Sequence, residues 1–179
     1  MKIYFIRHAE GLHNKEINGH TIKFPSLTEF GQSQALNTKI ELKNIMFNKI
    51  ISSPLKRTLQ TAYIIFEKKP VTALELIREY NGSICDNREN RNHLKNMFKE
   101  YDFSLIYDNY DYNKSEDDIM FKNRIDQFYK WLITNNNYDT IAIISHGSFL
   151  FEFFKIYGDI LKIKNNAFLN NCEYIIGYI

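Results

Sequence analysis

The sequence predicts an α/β protein, a three-layer sandwich with helices on both faces of a largely parallel sheet. Three observations carry this reading. Lys2-Ile3-Tyr4-Phe5-Ile6 and Thr140-Ile141-Ala142-Ile143-Ile144-Ser145 are short apolar runs without Pro or Gly, the pattern of buried strands. Leu55, Leu59, Ala62, Tyr63 and Phe66 lie at helical spacing, as do Phe121, Ile125, Phe128, Tyr129 and Leu132. Strands and helices then alternate along the chain, which favours a parallel sheet covered by helices.

The first strand stops at Arg7-His8-Ala9-Glu10, and residues 11 to 25 read as an irregular rim. Thr28 suits a helix N-cap, with Glu29 favourable in the first turn. The helix is expected over about 28–46, with Ala35, Leu36, Ile40 and Ile45 as a loose apolar face. Gly31 inside it costs about 1 kcal/mol against Ala, so close approach of another backbone is the expected reason for it. Asn48 to Ile51 reads as a short strand. Ser53-Pro54 reads as an N-cap followed by proline at the first helical position, opening a helix to about Lys68. Arg57 then falls in the first turn, where the dipole favours anions, although a plain solvated charge is the simpler account of one arginine.

Pro70 ends that helix, and Val71 to Ile77 reads as a strand with Glu79 just beyond it. Residues 85–92 are polar and charged, and a short helix is expected over His93 to Glu100. Tyr101 to Ser115 reads as a flap or lid, because loops this long are often functional. A second long helix is expected from about Glu116 to Asn135. The strand at 140–145 follows, then a helix from Gly147 to Tyr157 and a last strand from Glu173 to Ile179.

Composition narrows the function class. The 179 residues read as a single domain over 1–179, with 25% charged and 44% hydrophobic residues, an ordinary globular balance. A formal charge of +2 is too small to indicate nucleic acid or an anionic membrane as partner. Apolar stretches fall short of the roughly 18 residues of a membrane span, and the start lacks the pattern of a signal peptide. Two cysteines, Cys85 and Cys172, are too few for a disulfide scaffold. A cytoplasmic setting is therefore expected.

Ligands of open α/β sheets sit at the carboxyl ends of strands. Both apolar strands end on the same chemistry, one at Arg7-His8 and the other at His146-Gly147. A neutral imidazole can attack phosphorus, and a guanidinium can hold phosphate oxygens in a planar fork. Glu79, past another strand end, is preferred over Glu75 inside the apolar run as a proton donor. His13, His20 and His93 show no metal-ligand spacing, and no cysteine cluster offers a metal site; His13 is a candidate to line the pocket.

Arg7-His8-Ala9-Glu10 with Asn14, the string Leu27 to Ala35, the string Ser52 to Ala62, and Ser145-His146-Gly147 together resemble the histidine phosphatase, or phosphoglycerate mutase-like, superfamily. The match runs in the family's order from residue 2 to about 150. The resemblance implies a phosphoglycerate mutase-like fold and a metal-independent phosphoric monoester hydrolase with no cofactor, acting on a small phosphorylated substrate. It implies His8 as nucleophile of a phosphohistidine intermediate and Glu79 as general acid, then base. Arg7, Arg57, Asn14 and Gly147 are implied in phosphate binding, with a protonated His146 as a further donor. Arg78 to Gly82, Cys85-Asp86-Asn87-Arg88, and Glu116 eight residues before Arg124 are similar to a small phosphatase-like branch. Phe24 stands where the family often has Asp, and Lys114-Ser115-Glu116-Asp117 replaces a usual Gly-Glu-Ser string, which touches substrate recognition. A mutase and a catalytically silent phosphate-binding module of the same fold stay open as alternatives. Lys15, His20, Lys23, Arg88 and Arg91 are candidates to read a second anionic group or are plain surface charges. The substrate and the oligomeric state are not specified.

Overall fold

A computed structural model describes residues 1–67, 69–109, 115–135, 137–163 and 168–179. Its strands are β1 Lys2–Arg7, β2 Lys49–Ser52, β3 Thr72–Leu74, β4 Asp102–Leu105, β5 Thr140–Ser145 and β6 Tyr174–Tyr178. Its α-helices are α1 Leu12–Lys15, α2 Glu29–Leu42, α3 Lys56–Phe66, α4 Arg91–Met97, α5 Asp118–Thr134 and α6 Gly147–Tyr157. The sheet order is β4-β3-β2-β5-β1-β6, parallel except for β6, which runs antiparallel to β1. The expected α/β sandwich is therefore present. Among the described residues no helix is long and apolar enough to cross a membrane.

The central strands are apolar on both faces because each face meets helices. Tyr4 and Ile6 of β1, with Ala142 and Ile144 of β5, join one core with Ala35 and Leu42 of α2 and Leu59, Ala62 and Phe66 of α3. Ile3, Phe5, Ile141 and Ile143 point the other way, onto Phe121, Ile125 and Phe128 of α5 and Phe149 and Phe153 of α6. Successive side chains of a strand alternate faces, so continuous apolar runs are what this sheet needs.

Thr28 caps α2 by accepting from Gly31 N at 2.9 Å. A Cβ on Gly31 would sit 2.1 Å from the Glu10 carbonyl oxygen, so the helix packs there only as glycine. The buried stripe is Gly31, Ala35, Thr38 and Leu42, and Leu36 and Ile40 face outward, contrary to expectation. Small residues let α2 lie close to its neighbours, which turns the larger apolar side chains to the rim. The helix also ends at Leu42, short of 46.

Four further expectations are corrected. Helix α3 starts at Lys56 with Leu55 as N-cap, so Ser53-Pro54 is not its cap. The Thr58 hydroxyl donates to the carbonyls of Ser53 and Leu55 and holds the entry in a longer turn. Strand β3 stops at Leu74, and a 3₁₀ turn over Glu75–Ile77 follows. Glu75 is buried there between Arg78 (2.6 Å) and Arg88 (2.9 Å), and it also accepts from Tyr107 N at 3.1 Å. Arg88 is thus an interior cation rather than a surface charge. Arg91 pairs with Asp108. The supposed flap begins instead with edge strand β4, in which Phe103 is buried against the core. Residues 110–114 of that segment lie outside the described residues.

Removing one partner of a buried ion pair strands the other charge. Glu75→Ala is expected to cost about 3–5 kcal/mol, because it leaves Arg88 and Arg78 without their carboxylate. Urea unfolding should show it as a lower midpoint at an unchanged slope, and a loss below about 1 kcal/mol would contradict this account.

Candidate active site

Strands β1 and β5 are neighbours in parallel register, with Arg7 opposite Ser145. His8 N donates to the Ser145 carbonyl at 2.9 Å, so both strand ends are locked together where each delivers a histidine. The rings of His8 and His146 lie 5.1 Å apart, edge to face, and His13 lies 5.4 Å from His8. His8 and His146 are fully buried.

His8 Nδ1 sits 2.7 Å from the Ala9 carbonyl oxygen. A carbonyl only accepts, so Nδ1 carries the ring proton and Nε2 keeps its lone pair. Burial, then the charge of Arg57, hold the His8 imidazole well below its usual range, and His13 and Arg7 push the same way. Burial and Arg57 likewise hold His146 well below the usual range. His13 is pushed down to about 3 by burial, Arg57 and Arg7. All three imidazoles are therefore neutral at pH 7. The protonated His146 that the resemblance implies runs against this balance, since burial and then the charge of Arg57 both favour its neutral form. His146 Nε2 lies 2.7 Å from the Ser53 hydroxyl, and its Nδ1 has no partner among the described residues.

Arg57, in the first turn of α3, is buried; its Nη1 donates to the Cys85 carbonyl at 2.7 Å and its Nη2 to Asp86 at 3.2 Å. A guanidinium has five donors, so these two bonds fix its plane while others remain. Arg57 Nε and Arg7 Nε have no partner among the described residues. Arg7 Nη1 donates to the Leu169 carbonyl at 2.7 Å, and its guanidinium lies over the Phe168 ring at 4.8 Å.

Glu79 follows the 3₁₀ turn and is held on the amino end of α6. Its carboxylate accepts from Tyr80 N (2.9 Å), Phe149 N (3.1 Å) and Ser148 N (3.2 Å). Burial raises its pKa, against the opposing pull of these amides and of Arg57. Glu75, the rival carboxylate, is committed to its two arginines.

Asn14 Oδ1 accepts from Gly11 N at 3.1 Å and from Asn171 Nδ2 at 3.4 Å, so its oxygen closes the α1 entry. Gly147 makes room for side chains rather than backbone. A Cβ there would lie 2.5 Å from Phe168 and 3.2 Å from the Arg7 guanidinium carbon.

Further residues line the site: His13, a pocket candidate on sequence, and the segment at 168–172, to which no motif pointed. His13 packs on His8, and Gly11 leaves space for its ring, since a Cβ would meet His13 Nδ1 at 2.8 Å. Asn171 Nδ2 donates to the His8 carbonyl at 3.0 Å, and Cys172 N lies 3.2 Å from the carbonyls of Arg7 and His8. The segment 168–172 thus braces the first strand end from outside the motifs. The one available signal was the pairing of a polar Asn170-Asn171 step with the last strand. Among the described residues no group of three or more His, Cys, Asp or Glu side chains is placed to hold a metal ion.

Residues 3–170 match the family model of the histidine phosphatase superfamily, branch 1. A phosphoglycerate mutase-like protein of Arabidopsis thaliana is 28% identical, over 96% of this chain and 81% of its own length. The fold is similar to the crystal structure of phosphoglycerate mutase from Bacillus anthracis, with a TM-score of 0.68, 18% identity, and coverage of 98% of this chain and 86% of that one. A phosphoserine phosphatase mutant from Entamoeba histolytica, seen with phosphoserine, superposes with a TM-score of 0.61 at 24% identity, over 98% of this chain and 89% of that one.

The neutral imidazoles make stability depend on pH with a definite sign. The unfolded histidines protonate near pH 6.5, while folded His8, His13 and His146 do not, so their contribution is full above that pH and fades as pH falls. Glu79 works oppositely, because burial raises its folded pKa above that of the unfolded chain. Near pH 5.5 proton uptake by the three unfolded histidines outweighs the single opposing group, so the urea midpoint should fall from pH 7 to 5.5. A midpoint that rises over that interval would contradict the neutral triad.

Proposed function

The chain belongs to branch 1 of the histidine phosphatase superfamily, and on that premise we propose that it is a phosphomonoester hydrolase working through phosphohistidine on His8. The observation that carries the reading is the pairing of a buried His8 and a half-buried Glu79, shifted in opposite senses and both within the field of Arg57. His8 is kept neutral with Nε2 free, and Glu79 is kept protonated more readily than an ordinary carboxyl. Titratable groups pushed apart in this way are the mark of an acid and a nucleophile sharing a site.

Phosphoryl transfer needs a nucleophile in line and charge stabilisation around three equatorial oxygens. His8 Nε2 attacks phosphorus. The free donors of Arg7 and Arg57 take the oxygens, and two cations beside a dianion are what keep the imidazole from protonating first. With the Ser53 hydroxyl as donor to His146 Nε2, the ring proton is carried on Nδ1 and offered to a third oxygen. Asn14 completes the phosphate site, and Gly147 leaves the room in which the Arg7 guanidinium and the Phe168 ring pack beside it. Glu79 gives its proton to the leaving oxygen as the bond to phosphorus breaks. The resulting carboxylate then takes a proton from water, whose oxygen attacks the phosphohistidine and returns His8 to its neutral form. No metal, cofactor, nucleic acid or membrane enters this scheme, and its partner is a small phosphorylated substrate in the cytoplasm.

Glu79→Gln is expected to lose about 10²–10⁴-fold in kcat/KM on alkyl phosphates and much less on p-nitrophenyl phosphate, whose leaving oxygen hardly needs a proton. Glu75→Gln should not show that dependence, and the reverse pattern would overturn the assignment. His8→Ala should abolish phosphate release, which separates an enzyme from a silent binding module. With 3-phosphoglycerate the expected product is free phosphate; accumulation of 2-phosphoglycerate instead would favour the mutase. Turnover should survive a chelator.

A further inference from the structure

Glu79 stands where no strand holds it. The chain leaves the sheet after Leu74, makes the 3₁₀ turn Glu75–Ile77, and runs on in extended form. Its inward carbonyls still need donors, because a buried backbone oxygen without one is costly. Arg124, on the buried face of α5, supplies them. Its Nη1 donates to the carbonyls of Leu76 (2.9 Å) and Arg78 (2.8 Å), and its Nη2 to that of Glu79 itself (3.1 Å).

The remaining donors of the guanidinium go to Glu116. Nε donates to Oε1 at 2.7 Å and Nη2 to Oε2 at 2.6 Å, a bidentate fork. Five N–H groups meet five acceptors, so Arg124 has none left for a substrate. Glu116 also grips the chain beyond Glu79. Its carboxylate accepts from Asn81 N at 3.4 Å, and its N donates to the Asn81 carbonyl at 3.2 Å. The guanidinium lies over Phe121 at 5.1 Å and Phe149 at 5.6 Å. Phe149 is the residue whose N–H holds Glu79 Oε1. Arg124 therefore touches both the main chain that carries the acid and the residue that aims it.

We propose that Arg124, oriented by Glu116, is the positioning residue for the proton donor Glu79. It fixes where that carboxyl stands and contributes nothing to phosphate binding. Lysine offers three donors from a point rather than a planar fork, so it cannot hold three carbonyls and a carboxylate together. A catalytic group displaced by about 1 Å can lose on the order of 10²-fold in rate. The loss should appear only where a leaving oxygen needs its proton. This rests on the phosphatase reading and on Glu79 as acid.

The test is kcat/KM over a series of phosphomonoesters from nitrophenyl to alkyl leaving groups, with inhibition by inorganic phosphate measured alongside. Wild type, Glu79→Gln, Arg124→Lys and Glu116→Gln are compared, each with its melting temperature. Arg124→Lys should lower kcat/KM about 10- to 100-fold on alkyl esters, within the 10²–10⁴ range of general acid catalysis. It should stay within about threefold of wild type on nitrophenyl phosphate and leave phosphate inhibition within about twofold. Glu116→Gln should give the same pattern in smaller measure, and it decides the matter if Arg124→Lys fails to fold. An even loss across leaving groups, a parallel weakening of phosphate inhibition, or no loss in the folded variants would overturn the proposal. A wild type inactive on the whole series, or a Glu79→Gln without leaving-group dependence, would instead sink the reading beneath it.

Discussion

The bond from His8 Nδ1 to the Ala9 carbonyl is the constraint on which the site depends. At 2.7 Å, and with a partner that can only accept, it decides which ring nitrogen is free. The fold then serves that nitrogen. Parallel pairing of β1 and β5 sets His8 beside His146, and the segment at 168–172 fastens the carbonyls of Arg7 and His8 from the far side. A looser strand end would let the imidazole turn, and the tautomer would no longer be dictated by geometry.

Burial has opposite consequences for the two kinds of group collected there. It disfavours the charged form of each, so imidazoles fall and the carboxyl of Glu79 rises. Arg57 sharpens the first effect and moderates the second, because it acts on His8, His13, His146 and Glu79 together. Its own place is set by Asp86 and the Cys85 carbonyl, from a segment between β3 and β4 that belongs to no strand. The carboxyl of Glu79 is at the same time drawn toward ionisation by three amides, two of them from the first turn of α6. Held between those influences it can give up a proton and take one back.

Most of the fold was legible because its patterns are local. Ile3, Phe5, Tyr4 and Ile6 are apolar without alternation since helices cover both sides, and α5 shows its stripe at Phe121, Ile125, Phe128 and Leu132 directly. The rule that ligands gather at strand ends brought Arg7, His8, His146 and Glu79 into view, while Arg57 needed the family's motif. What escaped depends on contacts between distant segments. Leu36 and Ile40 have the spacing of an inner face of α2, yet Gly31, Ala35 and Thr38 lie there because close packing wants small residues. Ser53-Pro54 has the residues of a helix start, but Ser53 turns its hydroxyl to His146. The ion pairs of Glu75 and Arg124 close only after folding. Arg124 did leave a trace, a charge set among Phe121, Ile125 and Phe128 on a helical face that is otherwise apolar.

The claim that all this geometry serves one free nitrogen can be put to a direct measurement. The protein is mixed with a phosphomonoester, quenched in alkali within milliseconds, and the phosphorylated chain read by phosphorus NMR and peptide mapping. The account predicts an acid-labile, alkali-stable phosphoramidate on Nε2 of His8. Phosphate on Nδ1, on another side chain, or on no residue during steady turnover would contradict it.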